Sequence, residues 1–303
     1  MSVTRREAIV AATAAAATAV AAEPSGPSPF GFCLNTSTVR GHRLGIRAEA
    51  ELATKAGYGA IEPWVGSIRR FKDSGGKLPE LKKRISDLGL MVPGAIAFSR
   101  WLSDNPDERN AALERLKADM DLVRQIGGTG IAAPPAGVRG PVAPEVAGER
   151  YRAVLELGRQ MGVVPQLELW GGSPAIGRIS QAVAIAIESG HPDATLLLDV
   201  FHIYRGGSSF EGLRLLGPNA MRVFHINDYP AEPPREAVRD HHRLFPGDGV
   251  APLKEVLSTL AGIGFRGWLS LELFNPTYYK KPAEWVAATG LSKMRRAVAL
   301  ALG

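Results

Sequence analysis

From residue 30 onward, short apolar runs alternate with longer stretches in which apolar and charged positions recur at helical spacing. The short runs are FGFCLNT (30–36), AIEPW (60–64), LMVPGAIAF (90–98), TGIAAPP (129–135), VVPQLELW (163–170), TLLLDVFH (195–202), MRVFHIND (221–228) and WLSLELF (268–274). Their brevity and their bounding turn residues predict strands. Between them, RAEAELATKAG, LPELKKRISDLG, NPDERNAALERLKADMDLVRQIGG and PLKEVLSTLAGIG read as amphipathic helices, several stopped by glycine at the C-cap position. Strand followed by helix, repeated, predicts a parallel sheet with helices outside it. Eight such units fit an α/β architecture of the (β/α)8 kind, a TIM barrel, better than an open doubly wound sheet.

In such a barrel the C-terminal ends of the strands face the active site, so ionisable residues there matter most. The fifth predicted strand carries Glu168, the sixth Asp199 with His202 beyond it, the seventh His225 with Asp228 beyond it, and the eighth Glu272. Each sits in an apolar run, where a carboxylate needs its charge offset. Three carboxylates at one barrel mouth raise one another's pKa unless a cation lies among them. One divalent metal ion (Mn, Mg, Co or Zn) held by Glu168, Asp199, His225 and Glu272 meets that need, because the set is rich in oxygen with one nitrogen. Taken singly, each residue has a plainer reading: a glutamate paired with a buried arginine, or a histidine satisfied in the core. Four of them at the ends of consecutive strands favour the joint reading.

The run QLELWGG … LLLDVFHIYRGGS … VFHINDYP … HHRLFPGDGV … WLSLELFNPTYYK resembles the xylose-isomerase-like barrel superfamily of sugar phosphate isomerases and epimerases, and within it the inosose (2-keto-myo-inositol) isomerases. The likeness covers most of residues 30–290, including FCLNTST and GYGAIEPW near the start. Its motif of Glu, Asp-x-x-His, His, a Pro-Gly-x-Gly turn and Glu is specific for the superfamily and less so for substrate. The resemblance implies that Glu168, Asp199, His225 and Glu272 bind the metal and that His202 and Arg243 contact substrate oxygens. It further implies that Glu62, Trp64 and Trp170 line the pocket, although packing at the barrel rim is their plainer reading. The implied activity is an isomerase or epimerase acting on a keto-sugar or inosose through an enediolate, with Glu168 and Glu272 moving the proton. A lyase or dehydratase acting on a 3-keto-glycoside or related polyol could use the same site, whereas a non-catalytic sugar-binding protein would need no metal. Asp240-His241-His242-Arg243 is similar to the Asp-x-His of apurinic-site endonucleases. Their three-zinc cluster also needs histidines from earlier strands, and before residue 168 this chain has His42 alone.

Composition sets the outer bounds. With 303 residues, 45% hydrophobic and 22% charged, the chain reads as an ordinary globular protein, with one catalytic domain over 30–303. The formal charge of +6 is dispersed, as in LKKRISD and ALERLKAD, so nucleic acid is not an expected partner, and the partner that the resemblance implies is a carbohydrate or cyclitol. The single cysteine, Cys33, excludes a disulfide framework within one chain. Residues 1–22 place Arg5-Arg6 before AIVAATAAAATAVAA, which ends in the A-x-A pattern Ala19-Val20-Ala21. This order predicts a twin-arginine export signal and a periplasmic or exported protein, the alternative being a disordered tail on a cytoplasmic one. No later segment approaches about 18 uninterrupted apolar residues, so stable membrane insertion is not expected. Gly206 and Gly207 are expected to open a flexible loop over the pocket, and a homo-oligomer is left open.

Overall fold

The computed structural model describes residues 28–303, so the expected export segment lies outside the described residues. Seven parallel strands form one sheet: β1 (Gly31–Asn35), β2 (Ala60–Glu62), β3 (Gly130–Ala133), β4 (Val164–Glu168), β5 (Thr195–Asp199), β6 (Met221–Ile226) and β7 (Trp268–Leu271). Their order is β2-β1-β7-β6-β5-β4-β3. The gap between β2 and β3 is closed by residues 90–97. On one side, Met91 N–H donates to the Gly59 carbonyl (3.0 Å) and Ile96 N–H to that of Pro63 (2.9 Å). On the other, Thr129 and Ala132 donate to the carbonyls of Val92 (3.0 Å) and Ala95 (2.9 Å). The result is the expected TIM barrel, but its third wall is held by isolated bridges at Met91 and Ile96 and not by a continuous strand over 90–98. Pro93 has no N–H for a ladder and Gly94 no side chain to pack, which accounts for the break.

The helices are α1 (Ile46–Ala56), α2 (Val65–Asp73), α3 (Leu78–Asp87), α4 (Pro106–Gln125), α5 (Pro144–Met161), α6 (Ile179–Glu188), α7 (Val200–Arg205), α8 (Leu253–Gly262) and α9 (Ala283–Leu302). Their ends follow local chemistry. Asn105 caps α4 by accepting from Asp107 N–H (2.9 Å), and Gly57 ends α1 at φ 94°. The expected strand over 195–202 stops at Asp199 for the same kind of reason. The Asp199 carboxylate accepts from His202 N–H (3.0 Å) and starts α7, so His202 sits on a helix and not on a strand end.

Strand residues alternate between two cores. Leu34, Ile61, Ile131, Leu167, Leu198, Phe224 and Leu269 pack outward under the helices. Cys33, Ala60, Ile96, Ala132, Leu197, Val223 and Trp268 form a separate apolar cluster, which strand alternation assigns to the barrel interior. Continuing the inward parity toward the C-terminal ends brings up Asn35, Glu62, Glu168, Asp199, His225 and Glu272. These residues are not level in register. Glu168 lies opposite Leu197, Asp199 opposite His225, and His225 opposite Ser270, two residues before Glu272. A closed barrel of tilted strands requires this stagger.

The loop after β4 rests backbone against backbone on the end of α7. A Cβ on Gly206 would lie 1.8 Å from the Gly177 carbonyl oxygen, and one on Gly171 would lie 2.4 Å from that of His202. Gly206 is therefore a close-packing position and not the start of a flexible loop. Replacing it by alanine forces backbone apart, and Gly206→Ala is expected to lower the unfolding free energy by about 1–3 kcal/mol in urea titrations. An unchanged midpoint would mean that this contact yields freely.

Candidate metal centre and active site

Asp199, His225 and Glu272 are buried, and their donor atoms all lie within 4.8 Å of one another. His225 Nδ1 is 3.2 Å from Glu272 Oε2 and 3.7 Å from Asp199 Oδ2, yet it makes no aligned hydrogen bond to either. A nitrogen donor aimed at two carboxylates fits a divalent cation, and the donor chemistry suits the expected ions. Glu168 comes up beside this group from β4 but is not among the three that share the 4.8 Å distance. Its carboxyl is buried, with Oε2 unpartnered.

Arg243 supplies cationic charge to the same carboxylates. Fully buried, its guanidinium donates through one nitrogen to Asp199 Oδ2 (2.6 Å) and Glu272 Oε2 (2.9 Å). Through the other it meets Asp240 Oδ1 (2.9 Å) and His202 Nε2 (3.1 Å). Burial works against charge on Asp199, but the charge of Arg243 beside it, with His202 and His225 nearby, holds its carboxyl well below the usual range. Burial likewise disfavours an imidazolium at His225, but the surrounding Glu272, Glu62 and Asp199 hold its pKa well above the usual histidine value. His202 goes the other way: burial first, then Arg243, lowers it to about 4. As a neutral ring accepting at Nε2, it carries its hydrogen on Nδ1, which has no partner.

Each residue expected from the sequence can be placed. Asp228, beyond β6, stays out of the centre. Its carboxylate accepts from the N–H groups of Tyr229 (2.8 Å), Gly247 (2.9 Å), Gly249 (3.0 Å) and Ala251 (2.9 Å), folding the Pro-Gly-Asp-Gly turn that follows Arg243. Glu62, expected on the pocket wall, is wholly buried against His225 Nε2 (2.9 Å). Trp64 and Trp170 belong to a chain of rings at the mouth. Ring centroids are 5.1 Å apart for Trp64 and Phe98, 6.1 Å for Phe98 and Trp170, and 6.3 Å for Trp64 and Phe274. The Arg40 guanidinium lies over Trp64, 4.6 Å from its centroid.

Sequence reasoning passed over Phe98, Phe274 and Arg40 in this collar, and Asn35, Asn227 and Ser270 below it. A signal for the collar was present: Glu62-Pro-Trp64, Glu168-Leu-Trp170 and Glu272-Leu-Phe274 each place an aromatic two residues past an inward acid, on the same side of the strand path. Asn227 could not be recognised in this way, because its role is defined by space. Its amide donates to both Asp199 oxygens (3.3 and 3.2 Å) while its carbonyl accepts from Phe201 N–H (3.0 Å).

A closed α/β barrel with a carboxylate and histidine cluster at its strand ends is the architecture of a TIM-barrel enzyme. Residues 50–296 match the family described as Xylose isomerase-like TIM barrel, and the chain belongs to that family. It is 30% identical to an inosose isomerase of Bacillus licheniformis over 274 residues, covering 84% of this chain and 92% of that protein. It is 22% identical to a 3-dehydroshikimate dehydratase of Pseudomonas putida, over 80% of this chain and 38% of that one. Among solved structures, the IOLI protein with a bound zinc atom superposes with a TM-score of 0.81 at 24% identity, covering 89% of this chain and 98% of that one. The expectation of an enzyme in the sugar isomerase or epimerase class agrees with these relatives. Among the described residues, no helix is long and apolar enough to cross a membrane.

The carboxyl of Glu168 sets a pH dependence. Burial and then the charge of Glu272 push it up to about 8, against the opposing influence of His225. Below its unfolded pKa near 4.5, folded and unfolded chains both hold the proton and Glu168 contributes no pH dependence. As pH rises, the unfolded chain releases the proton first, so the metal-free protein loses stability until about pH 8, where the loss levels off. Glu168→Gln removes this contribution. In urea titrations of metal-free protein the variant should gain on the wild type more at about pH 8 than at about pH 4, and an equal gain at both would contradict the assignment.

Proposed function

We propose that this chain is a divalent-metal-dependent isomerase or epimerase acting on an unphosphorylated keto-sugar or inosose through an enediolate. The observation that carries the reading is the convergence of Asp199, His225 and Glu272 donor atoms within 4.8 Å at the barrel mouth. Glu168 is assigned as the fourth ligand. The zinc recorded in the IOLI protein and the inosose isomerase relatives support the reading.

A divalent ion held by these residues would supply the positive charge that makes the C–H beside a ketone acidic enough to lose its proton. The chain's own groups do the rest. Glu168 and Glu272 remove the proton and return it to the same carbon from the opposite face, giving an epimer, or to the neighbouring carbon, giving an isomer. His202 Nδ1–H, free of protein partners, donates to a substrate oxygen, while Arg243 holds the Asp199 and Glu272 carboxylates apart and in place. Trp64, Phe98 and Trp170 cover the apolar face of the substrate and exclude water. Export through the twin-arginine segment remains part of the proposal and fits an unphosphorylated substrate.

A second reading has its own support. The dehydratase relative favours elimination, in which loss of the same proton expels a neighbouring oxygen in place of reprotonation. Incubating metal-loaded protein in heavy water with ketoses, inososes and keto-glycosides, then recording product NMR, separates the two. Deuterium beside an intact carbonyl supports the isomerase, and an unsaturated product supports the lyase. Glu168→Gln and Glu272→Gln are each expected to lower turnover by about 10²–10⁴-fold. EDTA should abolish it reversibly, and full activity in chelated, metal-free protein would overturn the mechanism.

A further inference from the structure

One carboxylate at the centre has no part in the proposed reaction. Glu62, on β2, faces His225 across the barrel interior, and its Oε2 lies against His225 Nε2 (2.9 Å), Ser270 Oγ (2.7 Å) and Asn35 Nδ2 (2.9 Å). We propose that Glu62, given room by Gly94, is a positioning residue that fixes the tautomer and ring orientation of His225 so that Nδ1 is the nitrogen offered to the metal. The inference rests on the metal-site reading above.

The hydrogen-bond chemistry leaves little freedom. An ionised carboxylate only accepts, so the imidazole must place its N–H at Nε2 to bond Glu62. Nδ1 then points at Asp199 and Glu272, where it has no hydrogen-bond partner. Turning the ring over would aim carbon at Glu62 and break a buried contact. The Ser270 hydroxyl and the Asn35 amide both donate to the same Oε2, so that oxygen is already an acceptor and suits the His225 Nε2–H in the same way. Asn35 also reaches Glu272 Oε1 (3.3 Å), tying the support to a second member of the centre.

Gly94 supplies the independent observation. A Cβ there would fall 2.5 Å from Glu62 Oε1 and 3.4 Å from Gln166 Nε2. The backbone of Gly94 is outside the positive-φ region, so conformation does not demand glycine; the space beside Glu62 does. The same residue interrupts the third wall of the barrel, so the irregular 90–97 segment and the placement of Glu62 have one cause. Glu62 could swing away from an added methyl only by loosening the three contacts on Oε2.

Calorimetric titration of EDTA-treated full-length protein with Mn²⁺ tests this, with thermal unfolding of each metal-free variant as the fold control. Glu62→Ala is expected to weaken Mn²⁺ binding by about 10–100-fold, and Glu62→Gln, which keeps an acceptor for Nε2–H, by less. Gly94→Ala touches no metal ligand and should also weaken binding while the metal-free protein still unfolds cooperatively. In long-range ¹H–¹⁵N spectra of zinc-loaded protein, His225 should show the Nε2–H form in the wild type. Binding within about twofold of wild type in Glu62→Gln and Gly94→Ala overturns the inference even if Glu62→Ala does not fold. A wild type that takes up no Mn²⁺ overturns the metal reading itself, and is told apart because all variants are then equally silent.

Discussion

Three carboxylates, Asp199, Glu272 and Glu62, lie out of water around one histidine, and offsetting their charge is the constraint on which the rest of the site depends. The effective cost of burying an ion is several kcal/mol each even after relaxation, so none of the three could stay ionised alone. Arg243 bonds two of them, and His225 stands among all three. Asp199 gains the Asn227 amide and the His202 N–H in the first turn of α7; Glu62 gains a hydroxyl and an amide. The guanidinium is therefore a structural member of the centre. Its position is secured from behind by Asp228, which folds the next turn, and by Asn275, which donates to the Arg243 carbonyl (3.0 Å).

Barrel geometry decides which residues can share this arrangement. Alternation along each strand sends every second residue inward, and the tilt of the strands means that inward neighbours step along in register. Asp199 meets His225 directly, whereas Glu272 meets it from one step further on and Glu168 from one step back. That stagger agrees with the grouping of Asp199, His225 and Glu272 without Glu168. It is also why Asn35 and Glu62, at the ends of β1 and β2, belong to the centre although their strands lie on the far side of β7.

Much of this was legible in the sequence because apolar runs advertise strands and a charge inside such a run is conspicuous. QLELW, LLLDVF, RVFHIN and LSLELF announced four inward ionisable residues, and the alternation of strands with amphipathic helices announced the barrel. The limits have equally physical causes. LMVPGAIAF has strand composition, but Pro93 and Gly94 reduce it to bridges. The run TLLLDVFH hides a helix start, since an aspartate within a strand and an aspartate capping a helix look alike until its carboxylate finds the His202 N–H. Glu62 reads from the sequence as a pocket-wall residue, because nothing in AIEPW tells whether the carboxylate faces substrate or a histidine on a strand some 160 residues away. Arg243 was visible as a charge; its burial between two acids was not.

The finished site has two levels with different consequences. The lower one, of ionised and amide groups at the strand ends, is over-determined by mutual hydrogen bonds, and its members can hardly change singly without stranding a buried charge. The upper one, the rings of Trp64, Phe98, Trp170 and Phe274 with the Arg40 guanidinium over Trp64, lies beyond the strand ends, and no comparable network fixes it among the described residues. In the proposed reaction, proton removal beside a carbonyl falls to the lower level, and that step is common to isomerisation, epimerisation and elimination. The fate of the substrate once the proton has left depends on its tilt and on which neighbouring oxygen is oriented to leave, and that belongs to the upper level. A barrel built in this way can keep its chemistry while its loops change the substrate, so relatives of this chain can be isomerases and dehydratases without any change in the principle of the centre.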